Sequence, residues 1–293
     1  MDLVELQQMR YVVAVAELGS FTRAAERCFV VQSALSHQVA RLEQELGVRL
    51  FHRTSRQVRL TAAGEAFLPE ARRCLEAADR ARDEVAAATG EIRGRLSVGV
   101  IPTTAAVDVP VALRKFHDRH PEVRVGLSTG SSDALVRRVA DGRLDLAFLG
   151  LPVGTEVTGV SGHVFAQDRH VALVAPDHRF AASKRLRLSR LAGEPFVDFP
   201  AGTPGREQTD QAFDAAGLRR DVSFEVTDVQ VMAGLVRQGL GLALLPSSYA
   251  PSLPGLIAIP VERGPVRAEH LVWSRLGPSP AAAAFLDQLG ISR

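Results

Sequence analysis

The chain has 293 residues, a formal net charge of +2 at pH 7 and a hydrophobic fraction of 46%. This length and composition predict two or three folded domains and exclude a disordered, highly charged chain. The first 60 residues hold eight Arg and six Asp or Glu, whereas the remainder holds 27 basic and 27 acidic residues. The positive excess therefore lies at the N-terminus, where a polyanionic partner would bind.

No targeting segment is expected, because Met1 leads directly into an amphipathic stretch and no apolar run reaches transmembrane length. We therefore expect a cytoplasmic protein without a membrane partner. The two cysteines, Cys28 and Cys74, both lie in the N-terminal third of the chain, so a disulfide framework is not expected.

Residues 20–61 carry the most informative pattern. Ser20 can cap a short first helix in which Ala24 and Ala25 permit close packing. At about 100° per residue, a second helix has an apolar stripe formed by Leu35, Val39, Leu42 and Leu46. A different side of this helix, about 120° away by the same count, carries Gln32, Ser33, Ser36 and His37. This side can enter a DNA major groove, although a merely solvated face is the simpler alternative.

A basic segment follows the second helix, with no carboxylate from residue 49 to residue 59. Its basic residues alternate with apolar ones, which predicts a two-stranded hairpin with the apolar side inward. The guanidinium groups would then face DNA phosphates, as in the wing of a winged helix-turn-helix. Arg53 and Arg56 are the predicted phosphate contacts.

The pattern AAERC..VQSALSHQVARLEQELGVRLFHRTSRQVRLTAAGEAFL resembles the N-terminal signature of LysR-type transcriptional regulators. Two positions depart from it: Val31 stands where the family commonly has a Ser or Thr helix cap, and His37 where it often has Arg. The resemblance extends over essentially the whole chain. It implies an α/β protein with a winged helix-turn-helix in residues 1–60, a linker helix in 61–90 and a two-lobed effector domain in 91–293.

The segment from Thr61 to about Ala88 is rich in Ala, Glu and Arg and is predicted to be one helix. Pro69 is expected to kink or start this helix. Spacings of three and four define a seam of Leu68, Ala71, Leu75 and Ala78, which favours packing against a second helix. The resemblance implies a dimer or tetramer held by paired linker helices, and the alternative is a helix that lies on its own domain.

After Gly90, apolar strands alternate with helical patterns at 104–117 and 132–141, which predicts a parallel α/β sheet. The first set of strands is 96–100, 123–128 and 144–150. A second set is 170–176, 196–200, 221–226 and 242–246, and a strand at 270–275 with a helix near 280–289 returns to the first lobe. The predicted lobe I is about 91–164 plus 266–293, and lobe II is about 165–265. The family's effector domain, which resembles periplasmic binding proteins, has this architecture.

Ligands of such folds bind at the carboxyl ends of strands, beside helix N-termini. Hydroxyl-bearing residues, Gly or Asp occupy these positions here, although each hydroxyl is also a plausible helix cap. The predicted effector contacts are Thr103, Thr104, Thr129, Ser131, Gly202, Thr203 and Asp228. They indicate a small polar or anionic effector, with no cofactor and no metal.

An enzyme is the main alternative of another class. Residues 126–130 spell G-x-S-x-G around Ser128, and Asp145 and His163 or His170 follow in permissible order for a hydrolase triad. However, Ser128 precedes the expected helix start by several residues, whereas a nucleophile lies on the turn itself. His117 and His120 form H-x-x-H without a third ligand. We therefore expect no enzymatic activity.

Three functions remain to be compared: a ligand-responsive regulator, a ligand-independent repressor with an unused cleft, and an enzyme with an accessory DNA-binding domain. The first is favoured, because both a DNA-binding domain and a ligand-binding cleft are predicted. The resemblance implies a two-half-site operator on double-stranded DNA, and RNA polymerase as a partner if the protein is an activator.

Overall fold

A computed structural model of the chain describes residues 4–53, 57–88 and 90–291. The chain forms two compact units. Unit 1 comprises Met1–Ile92 with Asp141–Arg143, and unit 2 comprises Arg93–Ala140 with Leu144–Arg293.

Unit 1 contains the predicted winged helix-turn-helix. Its elements are α1 (Leu6–Leu18), α2 (Phe21–Arg27), α3 (Gln32–Glu45), β1 (Phe51–Arg53), β2 (Val58–Leu60) and α4 (Ala62–Ala88). Strands β1 and β2 pair antiparallel, with Phe51 opposite Leu60, which confirms the predicted hairpin. Ser20 caps α2 by accepting a hydrogen bond from the Arg23 N–H at 3.3 Å, also as predicted.

The core of unit 1 is built around the apolar stripe of α3. Leu35, Val39 and Leu42 are fully buried and pack with residues of α1, α2 and β1. Leu46, the fourth predicted member, is instead the exposed C-cap of α3, because the helix ends at Glu45. Val31 precedes α3 without a side-chain capping bond, as its apolar side chain requires.

Helix α4 runs without interruption past Pro69 and begins at Ala62, so the prediction that Pro69 could start it was wrong. Thr61 caps it instead, since its Oγ1 accepts from the Gly64 N–H at 3.0 Å. Ion pairs Glu17–Arg72 at 3.3 Å and Arg10–Asp79 at 3.9 Å hold α1 antiparallel along α4.

This packing changes the predicted dimer seam. Ala71 is fully buried within the single chain and therefore offers no surface to a second helix. Leu68, Leu75 and Ala78 are only half-buried, so their seam role remains a prediction.

Unit 2 is a two-lobed α/β structure. Its strands are β3 (Gly94–Val100), β4 (Val123–Thr129), β5 (Leu146–Pro152), β6 (Val160–Val174), β7 (Leu186–Arg187), β8 (Pro195–Asp198), β9 (Asp221–Glu225), β10 (Ala243–Pro246), β11 (Ile257–Glu262) and β12 (Val266–Ser274). Its helices are α5 (Val109–Arg119), α6 (Ser132–Ala140), α7 (Leu188–Leu191), α8 (Pro204–Ala215), α9 (Val229–Arg237) and α10 (Pro280–Gln288).

Strand β6 belongs to both lobes. Its first part pairs antiparallel with β12, while its last residues pair antiparallel with β10 and β11. Strands β3, β4 and β5 of lobe I are parallel, as predicted, but the strands around β6 are not. The prediction of a parallel set at 170–176 and 242–246 was therefore wrong, since these two segments pair antiparallel.

Helix α5 begins five residues later than predicted, at Val109. Asp108 caps it by accepting from the Val111 N–H at 3.0 Å, and Pro110 occupies the first turn, where proline is tolerated. In the loop between β3 and α5, the backbone N–H groups of Ala105 and Ala106 donate to Glu269. No helix in the described part of the chain is long and apolar enough to cross a membrane.

Candidate functional site

The predicted reading face of α3 is accessible in unit 1. Gln32, Ser33 and His37 are exposed and Ser36 is half-buried, while the opposite stripe is held in the core. Gln and Ser can donate and accept hydrogen bonds to base edges. The arrangement has the exposed polar face and anchored apolar face that major-groove reading requires.

The predicted wing contact Arg53 has partners within its own unit. Its Nη2 donates to Glu43 Oε2 at 2.9 Å, and its guanidinium carbon lies 4.4 Å from the centre of the Phe21 ring. The Arg53 side chain remains 30% exposed, so a phosphate contact is still sterically open. Arg56, the second predicted wing contact, lies outside the described residues.

Glu43 is an organising residue that sequence reasoning missed. Besides pairing with Arg53, its Oε1 accepts from the backbone N–H groups of Leu50 at 2.9 Å and Phe51 at 3.2 Å. One carboxylate on α3 therefore fixes the start of β1. In the sequence, Glu43 lies outside the apolar stripe of α3, where an ordinary exposed helix residue would lie. No local pattern therefore identifies it.

A cavity of about 520 Å³ in unit 2 collects most of the predicted effector positions. Its volume lies in the range typical of small-molecule sites. The predicted residues in its wall are Thr103, Thr129, Ser131, Thr203 and Asp228. These residues lie at or just after the ends of four strands, two in each lobe, as predicted.

Two predicted effector residues are not in the cavity wall. The hydroxyl of Thr104 turns back to donate to the Ile101 carbonyl at 3.0 Å, and Gly202 forms a left-handed turn with φ of 75° ahead of α8. Asp228 lines the cavity but also caps α9, since its Oδ1 accepts from the N–H groups of Gln230 and Val231.

Arg267 of β12 is the main wall residue that the sequence did not reveal. Its Nη1 donates to Thr103 Oγ1 at 2.8 Å, and its Nη2 donates to the Thr103 carbonyl at 2.9 Å and to Glu269. Glu269 in turn accepts from the N–H groups of Ala105 and Ala106. The loop after β3 is therefore connected to β12 by hydrogen bonds to a buried ion pair that lies within β12.

His170 of β6 also lines the cavity and is almost completely buried. Burial, assisted by repulsion from the Arg267 guanidinium, lowers the pKa of His170 to about 4. Its Nδ1 lies 3.3 Å from the Pro265 carbonyl, which assigns the proton of the neutral ring to Nδ1. The neutral imidazole therefore keeps Nε2 as an acceptor.

The low pKa of His170 makes acid stability a test of its burial. The unfolded chain, with a histidine pKa of about 6.5, binds a proton below that pH, whereas the folded protein does so only near pH 4. Stability should therefore fall as pH decreases from about 6.5 to about 4. Urea unfolding followed by Trp273, the only tryptophan, should show wild type losing about 2 kcal/mol more than His170→Asn between pH 7 and pH 5. Equal losses in the two proteins would contradict this assignment.

Gly150, in β5, connects the two lobes beside the cavity through its carbonyl. Its carbonyl accepts from Ser132 Oγ at 3.1 Å in lobe I and from Gln208 Nε2 at 3.0 Å in lobe II. A Cβ atom at this position would lie 2.8 Å from Ile101 Cδ1 and 3.0 Å from Arg267 Nη1. A side chain at position 150 would therefore crowd the ends of two lobe I side chains, Ile101 and Arg267.

The residues of the hydrolase alternative do not assemble. Ser128 lies inside β4 opposite Gly99, not on a turn. Asp145 binds the Ser97 N–H at 2.7 Å and Ser279 at 2.9 Å, and the His163 ring packs on Phe165. Within residues 4–53, 57–88 and 90–291, no group of three or more His, Cys, Asp or Glu side chains is arranged to hold a metal ion.

Comparisons with known proteins agree with this two-part organisation. Residues 6–65 match the family model described as bacterial regulatory helix-turn-helix protein, lysR family, and residues 89–291 match the LysR substrate binding domain. The transcriptional dual regulator GltC of Bacillus subtilis (strain 168) is 35% identical over 261 residues, which cover 88% of this chain and 87% of GltC.

Two solved structures are similar over nearly the whole chain. A full-length variant of OxyR from Pseudomonas aeruginosa has a TM-score of 0.79 at 27% identity, and the match covers 99% of this chain and 95% of the OxyR chain. Full-length CbnR complexed with its target DNA has a TM-score of 0.68 at 29% identity, with 98% of this chain and 99% of the CbnR chain covered.

Proposed function

Because the chain belongs to the LysR family of transcriptional regulators, we propose that it reads DNA through α3 and responds to a small polar or anionic effector bound in the cavity of unit 2. The effector would alter the relation between the two lobes and so the DNA geometry that a homodimer or homotetramer holds. The proposal includes RNA polymerase as a partner if the protein activates transcription, a cytoplasmic location, no cofactor and no enzymatic activity.

One observation carries the effector proposal: five predicted contacts from the ends of four strands meet Arg267 and His170 around one cavity. Thr103 is the residue with the clearest role. Its Oγ1 accepts from Arg267, which leaves its own hydroxyl proton available to a ligand. Thr203 on the other lobe already donates its proton to the Pro200 carbonyl, so it would act as an acceptor.

The positions of the two cysteines restrict the way in which unit 2 can sense an effector. Cys28 and Cys74, the two cysteines of the chain, lie in unit 1, so unit 2 has no thiol. Although OxyR is among the similar structures, we propose that this protein senses a reversibly bound molecule, not the oxidation of a thiol in the cavity.

Thr103→Val should weaken the effector response of a promoter reporter about 2- to 12-fold, because the free-energy loss is that of one hydrogen bond, about 0.5–1.5 kcal/mol. DNA binding without effector should stay intact, since the winged helix-turn-helix and the cavity belong to different units. Thr104→Val is the matched control, because the Thr104 hydroxyl lies outside the wall and bonds to Ile101. If both variants respond like wild type, and Thr203→Val does too, the effector binds elsewhere.

Gln32→Ala should cost about 1–3 kcal/mol on the specific operator and relax the preference at one base pair. The operator is obtained by genomic footprinting, and binding is measured by fluorescence anisotropy on operator and random DNA. Gln44→Ala, exposed at the opposite end of α3, is the control and should bind like wild type. An equal loss of affinity for both DNAs would mean that Gln32 contacts the DNA backbone and not a base.

A thermal-shift screen separates the regulator from a ligand-independent repressor. A ligand at 100 times its Kd should stabilise the protein by about 2.7 kcal/mol. If no small polar or anionic molecule stabilises the full chain or changes promoter output, the repressor is the better assignment.

A further inference from the structure

Val31 is an apolar residue at a position where helix stability favours a polar one. It is the N-cap of α3, and its side chain makes no capping hydrogen bond. A Ser, Thr, Asp or Asn at this position would accept a bond from the first turn and stabilise the helix. Val31 does not serve the core either, because it is 69% exposed, whereas the preceding Val30 packs against the core of unit 1. Neither capping nor burial therefore accounts for a valine at this position.

The backbone of Val31 is nevertheless held in one conformation. Its carbonyl accepts from the N–H groups of Ala34 at 3.1 Å and Leu35 at 3.3 Å, and its φ and ψ are −72° and 143°. Leu35 is fully buried, so the first turn of α3 is anchored in the core. A β-branched side chain is also restricted at χ1. Little conformational entropy is therefore lost when the two methyl groups of Val31 contact a partner.

Val31 immediately precedes the polar reading face of α3. Gln32 and Ser33, the next two residues, are exposed, as Val31 is. In a docked helix-turn-helix, the N-terminal residues of the second helix contact base edges in the major groove, while the first helix crosses the backbone. Val31 stands at the start of that second helix and therefore belongs to the same docked surface as Gln32.

The base edges in the major groove offer one apolar group. All four bases present hydrogen-bond donors or acceptors there, but thymine also presents its C5 methyl group. Contact between this methyl group and a valine removes apolar surface of both from water, which is favourable. Phosphates and polar base edges are bound by hydrogen bonds, which the Val31 side chain cannot form. The chemistry of residue 31 therefore matches a thymine methyl group better than the polar groups of the groove.

We infer that Val31 contacts the C5 methyl group of a thymine in each half-site of the operator and is a specificity-determining residue for DNA. The inference rests on the proposed reading of DNA through α3 and adds a base contact that the polar residues of α3 do not make. Because Val31 and Gln32 are adjacent, the thymine lies next to the base pair that Gln32 reads, or within that pair. A serine at position 31 would cap α3 but would lose the methyl contact.

Replacing thymine by uracil tests this contact, because the change removes the C5 methyl group and leaves the hydrogen-bonding groups of the base in place. The operator found by footprinting is synthesised with one thymine at a time replaced by uracil. Binding of the purified full chain is measured by fluorescence anisotropy. One such uracil in each half-site should weaken wild-type binding about fourfold, which corresponds to burial of one methyl-sized group. Its position should adjoin or coincide with the base pair at which Gln32→Ala relaxes the preference.

Variants assign the methyl contact to its residue. Val31→Ser should bind the thymine and uracil operators with equal affinity, whereas a merely structural effect would weaken binding to both and leave their ratio unchanged. Because serine is a better N-cap than valine, this variant should be at least as resistant to thermal unfolding as wild type. Val31→Ala, which adds no hydroxyl, should also lower the ratio. Val48→Ser, at a valine that is 48% exposed outside α3, is the matched control and should keep the fourfold ratio expected of wild type.

The inference is overturned if no single uracil near the position read by Gln32 weakens wild-type binding, or if the uracil effect survives in Val31→Ser. In the second case, loss of the effect in Phe29→Ala would assign the methyl contact to Phe29, which is 96% exposed two residues earlier. Both results leave the reading of DNA through α3 standing, as long as Gln32→Ala still relaxes the operator preference. If neither Gln32→Ala nor Val31→Ser changes that preference, reading through α3 fails together with this inference.

Discussion

Replacing Arg220 by Leu is expected to destabilise unit 2 by about 3–5 kcal/mol, because it leaves a buried carboxylate without its counter-ion. Arg220 Nη1 donates to Asp198 Oδ2 at 2.5 Å, and the two side chains are 4% and 3% exposed. The guanidinium also binds Thr209 and Asp210 and lies over the rings of Phe196 and Phe213. Urea unfolding followed by Trp273, which lies in β12, measures the loss.

A second variant tests the reason for this loss. Adding Asp198→Asn to Arg220→Leu should restore most of the stability, because the uncompensated charge is removed. Arg187→Leu, which breaks the exposed pair with Glu262, is the control and should change stability by less than about 1 kcal/mol. A loss in Arg220→Leu no larger than in Arg187→Leu would mean that the pair does not stabilise the lobe.

The same pair has a functional consequence. Asp198 and Thr209 are the immediate neighbours of Phe199 and Gln208, which line the cavity. The ion pair does not line the cavity itself, but it helps to fix the positions of the wall residues Phe199 and Gln208. We expect Arg220→Leu to weaken the effector response more than Arg187→Leu does at temperatures where both variants remain folded.

Glu43→Ala is expected to destabilise unit 1 by about 2–4 kcal/mol, because two backbone N–H groups and the Arg53 guanidinium lose their acceptor. Since β1 begins at this contact, operator binding should weaken at least tenfold. Glu43→Gln keeps a neutral acceptor for the backbone but not the charge, and its effect should be intermediate. Amide hydrogen exchange of Leu50 and Phe51 measures the local change, and anisotropy measures DNA binding.

Glu70→Ala is the control within the same unit. Glu70 is 64% exposed and pairs with Arg73 one turn away on α4, so its removal should cost less than about 1 kcal/mol. The hydrogen-exchange protection of the Leu50 and Phe51 amides is compared between the two variants. If it is the same in Glu43→Ala as in Glu70→Ala, the apolar contacts alone hold the wing.

The cavity illustrates which functional residues sequence reasoning can reach. Thr103 and Thr203 were predicted because carboxyl ends of strands that alternate with helices meet at one edge, whatever the details of pairing. Arg267 and His170 lie within strands and look like ordinary interior positions of a sheet. Only the antiparallel pairing of β6 with β12 brings them to the cavity.

By itself, the sequence determined the features that depend on local periodicity and local chemistry. These are the amphipathic α3 with its exposed polar face, the Ser20 cap, the antiparallel pairing of β1 with β2 and the parallel strands of lobe I. Each follows from residues close together in the chain, where helix and strand repeats fix which side chains share a face.

Only the tertiary structure decided the contacts between distant segments. Examples are the pairing of Glu43 with Arg53, the burial of Ala71, the Arg220–Asp198 pair and the antiparallel strands around β6. The partners in such contacts are brought together by packing of whole elements, so no repeat in the sequence encodes their proximity. Burial then sets their energetics, because a charge removed from water must find its partner within the fold.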